Sequence, residues 1–435
     1  MKTQRLHNWL IALADPEGPP ESLPTAPLPA DAMDALIQLA DWHGVLPAVA
    51  ANLPLSASDP ITASPGPRVS ASNPLPLSAS GRPRVSASDL LLARAGLAMV
   101  LRRQLRDVAN AFAARRIPAL VLKGAEFADR LYPRPDLRPF GDIDLLVPSD
   151  AVERAAAALV ESGYAETPTP MKHAAGYAER TYRLQGPGAP TPHAGHAAQA
   201  IPAAQGTPAA PGLAANAGAV ELHWNLVNSP TLRRGLSVAF EDLVQSEGRT
   251  LAPGESPLGT TPGGRPTLAP DKGPEGATSD APAAMGNRQW AMGNGQFRLD
   301  ASAMLLVAAV HAAASHAFDR LGPLCDIRQL VRGAAGPVEV ERLRELIDRT
   351  GAGLAVATAL ELTGRIFGDE GPRAMVAALG LPRPRLLCSV LLTKGVVLRG
   401  HCPLDSFRRQ AFRVLLSRRK VSTDYADFAD KETTS

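Results

Sequence analysis

The sequence predicts an α+β protein, with a small mixed β-sheet core, N-terminal helices and a C-terminal helical domain. Three observations predict it. Helical apolar spacing occupies both ends of the chain, strand, helix, strand and helix signals follow one another within residues 117–162, and alternating apolar segments recur at 178–184 and 219–227.

At the N-terminus, the apolar run from Trp9 to Ala14 is stopped by Asp15 and lacks a signal peptide's length, so export is not expected. Residues 31–52 and 89–115 carry helical spacing, as in Leu90, Ala93, Leu97, Leu101, Leu105 and Val108. The period then shortens. Ile117–Leu122 reads as a strand, Gly124–Leu131 as a helix and Asp142–Val147 as a second strand. Asp150 and Glu153 have the spacing of a capping box opening a helix over 151–162, which Gly163 ends. Ala178–Leu184 and Ala219–Val227 supply further strands, for a sheet of four or five. From Asp300 onward the pattern is helical again, punctuated by Gly322-Pro323, Gly351, Gly368 and Gly371-Pro372. Its most apolar part, Ala301–Phe318, is shorter than the roughly 20 residues of a bilayer span and is interrupted by His311 and His316, so a core helix is expected.

Three stretches have no periodicity. Residues 54–88 contain PRVSAS twice and share LPLSAS copies at 53–58 and 75–80; 185–219 is 25 Ala, Gly or Pro out of 35; 249–294 holds 15 Gly or Pro. Such segments bury too little apolar surface to offset the ordering of their backbone, and they are expected to be disordered insertions. The expected organisation is therefore helices at 1–53, an insertion at 54–88, a core at 89–248 interrupted at 185–219, a linker at 249–294, a helical domain at 295–420 and a polar tail at 421–435.

Composition excludes several classes. With 45 Lys+Arg against 42 Asp+Glu in 435 residues, the net charge of +3 does not mark a nucleic-acid or membrane surface. Cys325, Cys388 and Cys402 have no CxxC spacing, which argues against a disulfide framework or structural zinc and for a cytoplasmic location. Motifs of the P-loop, dinucleotide, zincin and serine-hydrolase types are absent from the sequence.

The chemistry concentrates in VLKGAEFADRLYPRPDLRPFGDIDLLV. Alternation in a strand sends Asp142 and Asp144 to one face and Ile143, Leu145 and Val147 to the other. Two adjacent carboxylates raise each other's pKa unless a cation holds them, and Mg²⁺ is bound by such carboxylates together with substrate phosphates. Lys123 and Gly124 lie where a strand turns into a helix, suited to an anion, and Arg138 sits in a proline-stiffened loop from which a guanidinium could fork onto phosphate oxygens. In the strand AVELHWNLV, Val220, Leu222, Trp224 and Leu226 share the expected buried face; Glu221, His223 and Asn225 share the other. Glu221 is the third carboxylate, and His223 is expected to orient it from behind. His311 and His316 lie about 140° apart on an α-helix and are expected to be structural. Asp326 is assigned no catalytic role, and the arginines around 408–419 read as a solvated amphipathic face.

The LKG, arginine and GDIDLLV run followed by the ELHW strand resembles the polymerase-β-type nucleotidyltransferases, specifically a bacterial family of uncharacterised nucleotidyltransferases. The resemblance implies a nucleotidyltransferase core in which Asp142, Asp144 and Glu221 hold Mg²⁺ or Mn²⁺ and a nucleoside triphosphate is the substrate. Lys123-Gly124 stands where the wider superfamily has Gly-Ser; Ala125 replaces the hydroxyl. The implied reaction is transfer of a nucleoside monophosphate to a small molecule, sugar, peptide or protein. A non-catalytic, antitoxin-type binding module and an RNA-modifying enzyme are the alternatives.

Overall fold

The computed structural model describes residues 2–18, 30–53, 87–167, 176–185, 218–244, 297–399 and 403–418. Apart from their edges, the expected insertions lie outside the described residues, as does the whole expected tail. Ala87 and Ser88 already belong to a helix.

The N-terminal helices are α1 (Lys2–Leu13), α2 (Ala30–Trp42) and α3 (Leu46–Asn52). The helical spacing over 31–52 is divided between α2 and α3, because Gly44 takes φ +71 and Pro47 lies in the first turn of α3. After α4 (Ala87–Ala114) come β1 (Leu120–Val121), α5 (Ala125–Leu131), β2 (Asp142–Leu146), α6 (Val152–Glu161), β3 (Tyr164–Glu166), β4 (Glu179–Leu184), β5 (Ala219–His223) and α7 (Phe240–Val244). The helical half contains α8 (Ala301–Val310), a π-helical turn at His311–Ser315, α9 (Gly322–Val331), α10 (Val340–Thr350), α11 (Gly353–Phe367), α12 (Glu370–Ala378), α13 (Arg385–Val390), α14 (Lys394–Leu398) and α15 (Pro403–Leu416). Among the described residues no helix is long and apolar enough to cross a membrane.

The five-stranded sheet has the order β1-β2-β5-β4-β3; β2 and β5 pair parallel, and the other neighbours pair antiparallel. One face is apolar. Ile143, Leu145, Val147, Val220, Leu222 and Tyr182 pack there against Leu101, Val108 and Phe112 of α4 and Val152, Ala155 and Leu159 of α6. The other face carries the polar residues of β2, β4 and β5, and the helical half covers it.

Two local expectations need correction. The capping box does not form: Ser149–Ala151 is a 3₁₀ turn, α6 opens at Ala151 without a side-chain cap, and Glu153 instead pairs with Arg180 of β4. The last strand is also shorter than expected. Asn225 Oδ1 accepts from the amides of Val227 (2.9 Å) and Val238 (3.3 Å), and these local bonds bend the chain after His223. Leu226 consequently leaves the face of Val220 and Leu222 and joins the core of the helical half.

The N-terminal helices are not appended to the sheet. Leu10, Leu13, Leu36 and Val49 share one core with α8, α9 and α11, and every residue of α8 is buried. Asp300 caps α8 by accepting from the Ala303 amide (2.7 Å). The bridge between the two ends of the chain is His43, fully buried, whose Nδ1 accepts from the Leu321 amide (3.2 Å) while Nε2 lies 3.2 Å from the Leu398 carbonyl. Only the neutral imidazole protonated on Nε2 satisfies both bonds, because a second proton on Nδ1 would face the Leu321 N–H. Burial pushes the His43 pKa down to about 4, with the Leu398 bond only partly opposing it. The unfolded chain therefore takes up the His43 proton below pH 6.5 while the folded chain resists it down to about pH 4, so stability is lost across that window as the pH falls. The stabilisation that wild type holds over His43→Asn in urea melts should shrink by about 2 kcal/mol between pH 7 and pH 5; an unchanged difference would remove His43 as the cause.

Candidate active site

Register assembles the site. In the parallel pair β2·β5, Asp144 lies opposite Glu221 and Leu146 opposite His223; in the antiparallel pair β4·β5, Glu179 lies opposite His223 and Thr181 opposite Glu221. The period-2 pleat puts Asp142, Asp144, Glu179, Glu221 and His223 on one face, and all five line a cavity of about 670 Å³. The remaining walls come from Lys123 after β1, from Tyr177, from Asn228 beyond β5, from His311 and His316 in the π-helical turn, and from Gln410 and Arg413 of α15.

At the centre, Asp144, Glu221 and His223 each offer a donor atom within 4.8 Å of the others. His223 Nε2 is 3.3 Å from Asp144 Oδ1 and 3.8 Å from Glu221 Oε2, while its Nδ1 lies 3.1 Å from Asn228 Oδ1. Asn228 Nδ2 donates a short hydrogen bond to Glu179. The imidazole expected behind Glu221 stands beside both Asp144 and Glu221, with its Nδ1 against Asn228.

Four carboxylates face this cavity, and Lys123 is the cation nearest to them, with Nζ 3.0 Å from Asp144 Oδ2. Burial opposes its charge, but Asp142, Asp144 and Glu221 outweigh burial and raise the Lys123 pKa. Burial would likewise push Asp144 up, yet Lys123 and His223 hold it well below the usual carboxylate range. Asp142 goes the other way: burial, with Asp144 and Glu221 adding repulsion, pushes it up to about 6 against the pull of Lys123. Negative charge therefore exceeds what the side chains neutralise, and the mixed carboxylate and imidazole donors fit a divalent cation.

The other expected residues lie beside this centre. Gly124 caps α5 with φ +62 and ψ −118, a conformation closed to residues with a Cβ, which turns the chain sharply out of β1 and places Lys123 at the cavity wall. Arg138 does not reach the cavity. Its Nε and Nη2 donate to Asp326 Oδ1 (2.7 Å) and Oδ2 (2.8 Å), and Nη1 donates to the Gly124 carbonyl (3.2 Å). The Tyr132 hydroxyl completes this buried knot on Asp326 (2.8 Å). Arg138 and Asp326 thus brace the Gly124 turn against α9.

Sequence reasoning missed Glu179, Tyr177, Asn228 and the helical wall. Glu179 was within an expected strand, but only the antiparallel register against His223 brings it to the site. His311 and His316, separated on an ideal α-helix, are neighbours here because the wider π-helical turn brings residues five apart closer to one face; their Nε2 atoms are 3.1 Å apart. Arg413 projects inward from a helix expected to be merely solvated.

Removing Lys123 would leave Asp144 buried beside Glu221 without its counter-charge. Lys123→Met should cost about 3–5 kcal/mol of stability in metal-free buffer, and Mn²⁺ should restore part of it by replacing the missing charge. Urea melts with EDTA and with MnCl₂ measure both effects; equal stability of variant and wild type in EDTA would show that the pair does not carry this charge balance.

No curated protein and no solved structure matches this chain. A family model described as "Uncharacterised nucleotidyltransferase" matches residues 29–262, which is more than half of the sequence and contains β1 to β5 with every carboxylate of the site. The chain belongs to this uncharacterised nucleotidyltransferase family.

Proposed function

We propose that the protein transfers a nucleoside monophosphate from a nucleoside triphosphate to a hydroxyl-type acceptor, a small molecule, sugar, peptide or protein, and releases pyrophosphate. The observation that carries this reading is the clustering of Asp144, Glu221 and His223, with Asp142 and Lys123, on one wall of a cavity of about 670 Å³ in a nucleotidyltransferase-family chain. That volume is within the range of small-molecule sites.

Asp144, Glu221 and His223, with Asp142 beside them, would hold Mg²⁺ or Mn²⁺; the imidazole in the set suits Mn²⁺ better than a purely oxygen-lined site would. When bound, such an ion stabilises the charge that develops on the attacking and leaving oxygens. Lys123 presents an ammonium to the same space and pairs with phosphate oxygens. Gly124 keeps the backbone beside it open, and the brace from Arg138 to Asp326 fixes that turn. Glu221 is either a metal donor or the group that draws the proton from the acceptor.

A second reading, a binding module without catalysis, is not favoured by any observation, since Asp142, Asp144 and Glu221 all face one cavity. Isothermal titration of Mg²⁺-ATP, and of the other three nucleotides, into wild type and into the double variant Asp142→Asn with Asp144→Asn is the test. Wild type should bind one or more of the four in the micromolar range, and the double variant should bind at least about 100-fold more weakly, a difference of about 2.7 kcal/mol. Absence of nucleotide binding by wild type, or indifference of binding to the double change, ends the proposal.

A further inference from the structure

The wall that the helical half contributes to the cavity carries three neighbouring titratable side chains outside the donor cluster: His311 and His316, which are hydrogen-bonded, and Asp319 beside His316. His311 and His316 line the cavity. Their Nε2 atoms lie 3.1 Å apart, with the rings nearly perpendicular at 86°. Two imidazole nitrogens at that distance share one hydrogen, so one ring donates and the other accepts. His316 Nδ1 is 3.4 Å from Asp319 Oδ1, a charge contact whose geometry is not that of a hydrogen bond, and a carboxylate there favours the His316 hydrogen on Nδ1 over Nε2. The Nε2 of His316 is then the acceptor and that of His311 the donor. This leaves His311 Nδ1 as a lone-pair nitrogen, hydrogen-bonded to no other described residue.

Burial, together with the positive charge of Lys123, keeps both imidazoles neutral; Asp144, Arg138 and His316 are the other charged or titratable groups around His311, and Arg320 stands near His316. The arrangement is held at a cost. Directly after the π-helical turn, Ala317 and Phe318 adopt φ +44 and +59, the left-handed region that L residues with side chains avoid. Phe318 is fully buried against Phe412 of α15, with ring centroids 5.4 Å apart, and that burial offsets the strain.

We infer that His311 takes the proton of the acceptor hydroxyl, and that His316 and Asp319 are positioning residues that fix its tautomer. The inference rests on the nucleotidyl-transfer reading and decides between the two roles left open for Glu221, which belongs with Asp144 and His223 in the donor set. In this step a lone pair of the acceptor oxygen forms the bond to the α-phosphorus. The bond from that phosphorus to pyrophosphate breaks, its electron pair leaving with pyrophosphate. The hydroxyl proton moves to His311 Nδ1 and passes to water when products leave. The acceptor is thereby a hydroxyl compound delivered from the side of the helical half.

Two measurements test it. In long-range ¹H–¹⁵N spectra of unmodified protein labelled at histidine nitrogen, His311 should be neutral with its hydrogen on Nε2, and His316 neutral with its hydrogen on Nδ1. Pyrophosphate release from Mg²⁺-ATP with glycerol as the hydroxyl probe should fall about 100-fold or more in His311→Gln with the ATP dissociation constant unchanged. Asp319→Asn should give a smaller fall and a shifted pH profile of release. A hydrogen on Nδ1 of His311, or wild-type release by a His311→Gln protein that still binds ATP, overturns the inference while leaving nucleotidyl transfer intact. Failure of wild type to bind any nucleotide overturns the underlying reading, and this inference with it.

Discussion

Parallel pairing of β2 with β5 sets Asp144 directly beside Glu221, two carboxylates that would repel in a buried sheet, and the rest of the molecule is arranged around that repulsion. Lys123 is brought to Asp144 by a glycine turn that no other residue could make at φ +62 and ψ −118. The turn is pinned from below by Arg138, whose guanidinium is held in turn by Asp326 of the helical half. A chain of charge compensation thus runs from the sheet into α9. It explains why an arginine in a proline-stiffened loop, well suited by sequence to meet phosphate, is instead committed to protein.

The helical half completes the site as well as covering it. The family match ends at residue 262, yet His311, His316, Gln410 and Arg413 line the same cavity as the carboxylates. The matched segment contributes the acidic floor and Lys123, and the later helices contribute the facing wall. The N-terminal helices support this wall from outside, through His43 on Leu321 and Leu398 and through Asp15 on Arg328 and Arg332.

Much of this was legible in the sequence, and the limits have physical causes. Asp142, Asp144, Glu221 and His223 were readable because strand alternation is local: a period of two places them on one face whatever the strand pairs with. Glu179 was not, since its position depends on the antiparallel register with β5, which is set across the chain. The short strand β3 escaped because three residues carry no measurable period. The end of β5 was misplaced because Asn225 satisfies two amides with its own side chain, and no apolar pattern reports that bond. Arg138 illustrates the opposite failure: its guanidinium was expected to fork onto phosphate oxygens, and it forks onto the carboxylate of Asp326.

The π-helical turn is the clearest case of tertiary structure overriding a local rule. On helical spacing alone His311 and His316 point apart, and the sound inference is that each is structural. Inserting one residue into the hydrogen-bond cycle rotates the second imidazole back over the first, and it also leaves Ala317 and Phe318 with dihedrals that neither prefers. A run of alanines between the two histidines, Ala312 to Ala314, offers little side-chain packing that would oppose the wider turn. Phe318 supplies the compensation, because its ring is sealed against Phe412 on α15, the helix that also brings Arg413 to the cavity. Phe318 and Phe412 thus join the end of the histidine turn to the helix that carries Arg413, and an ideal α-helix through residues 311–316 would dismantle the pairing of the two imidazoles.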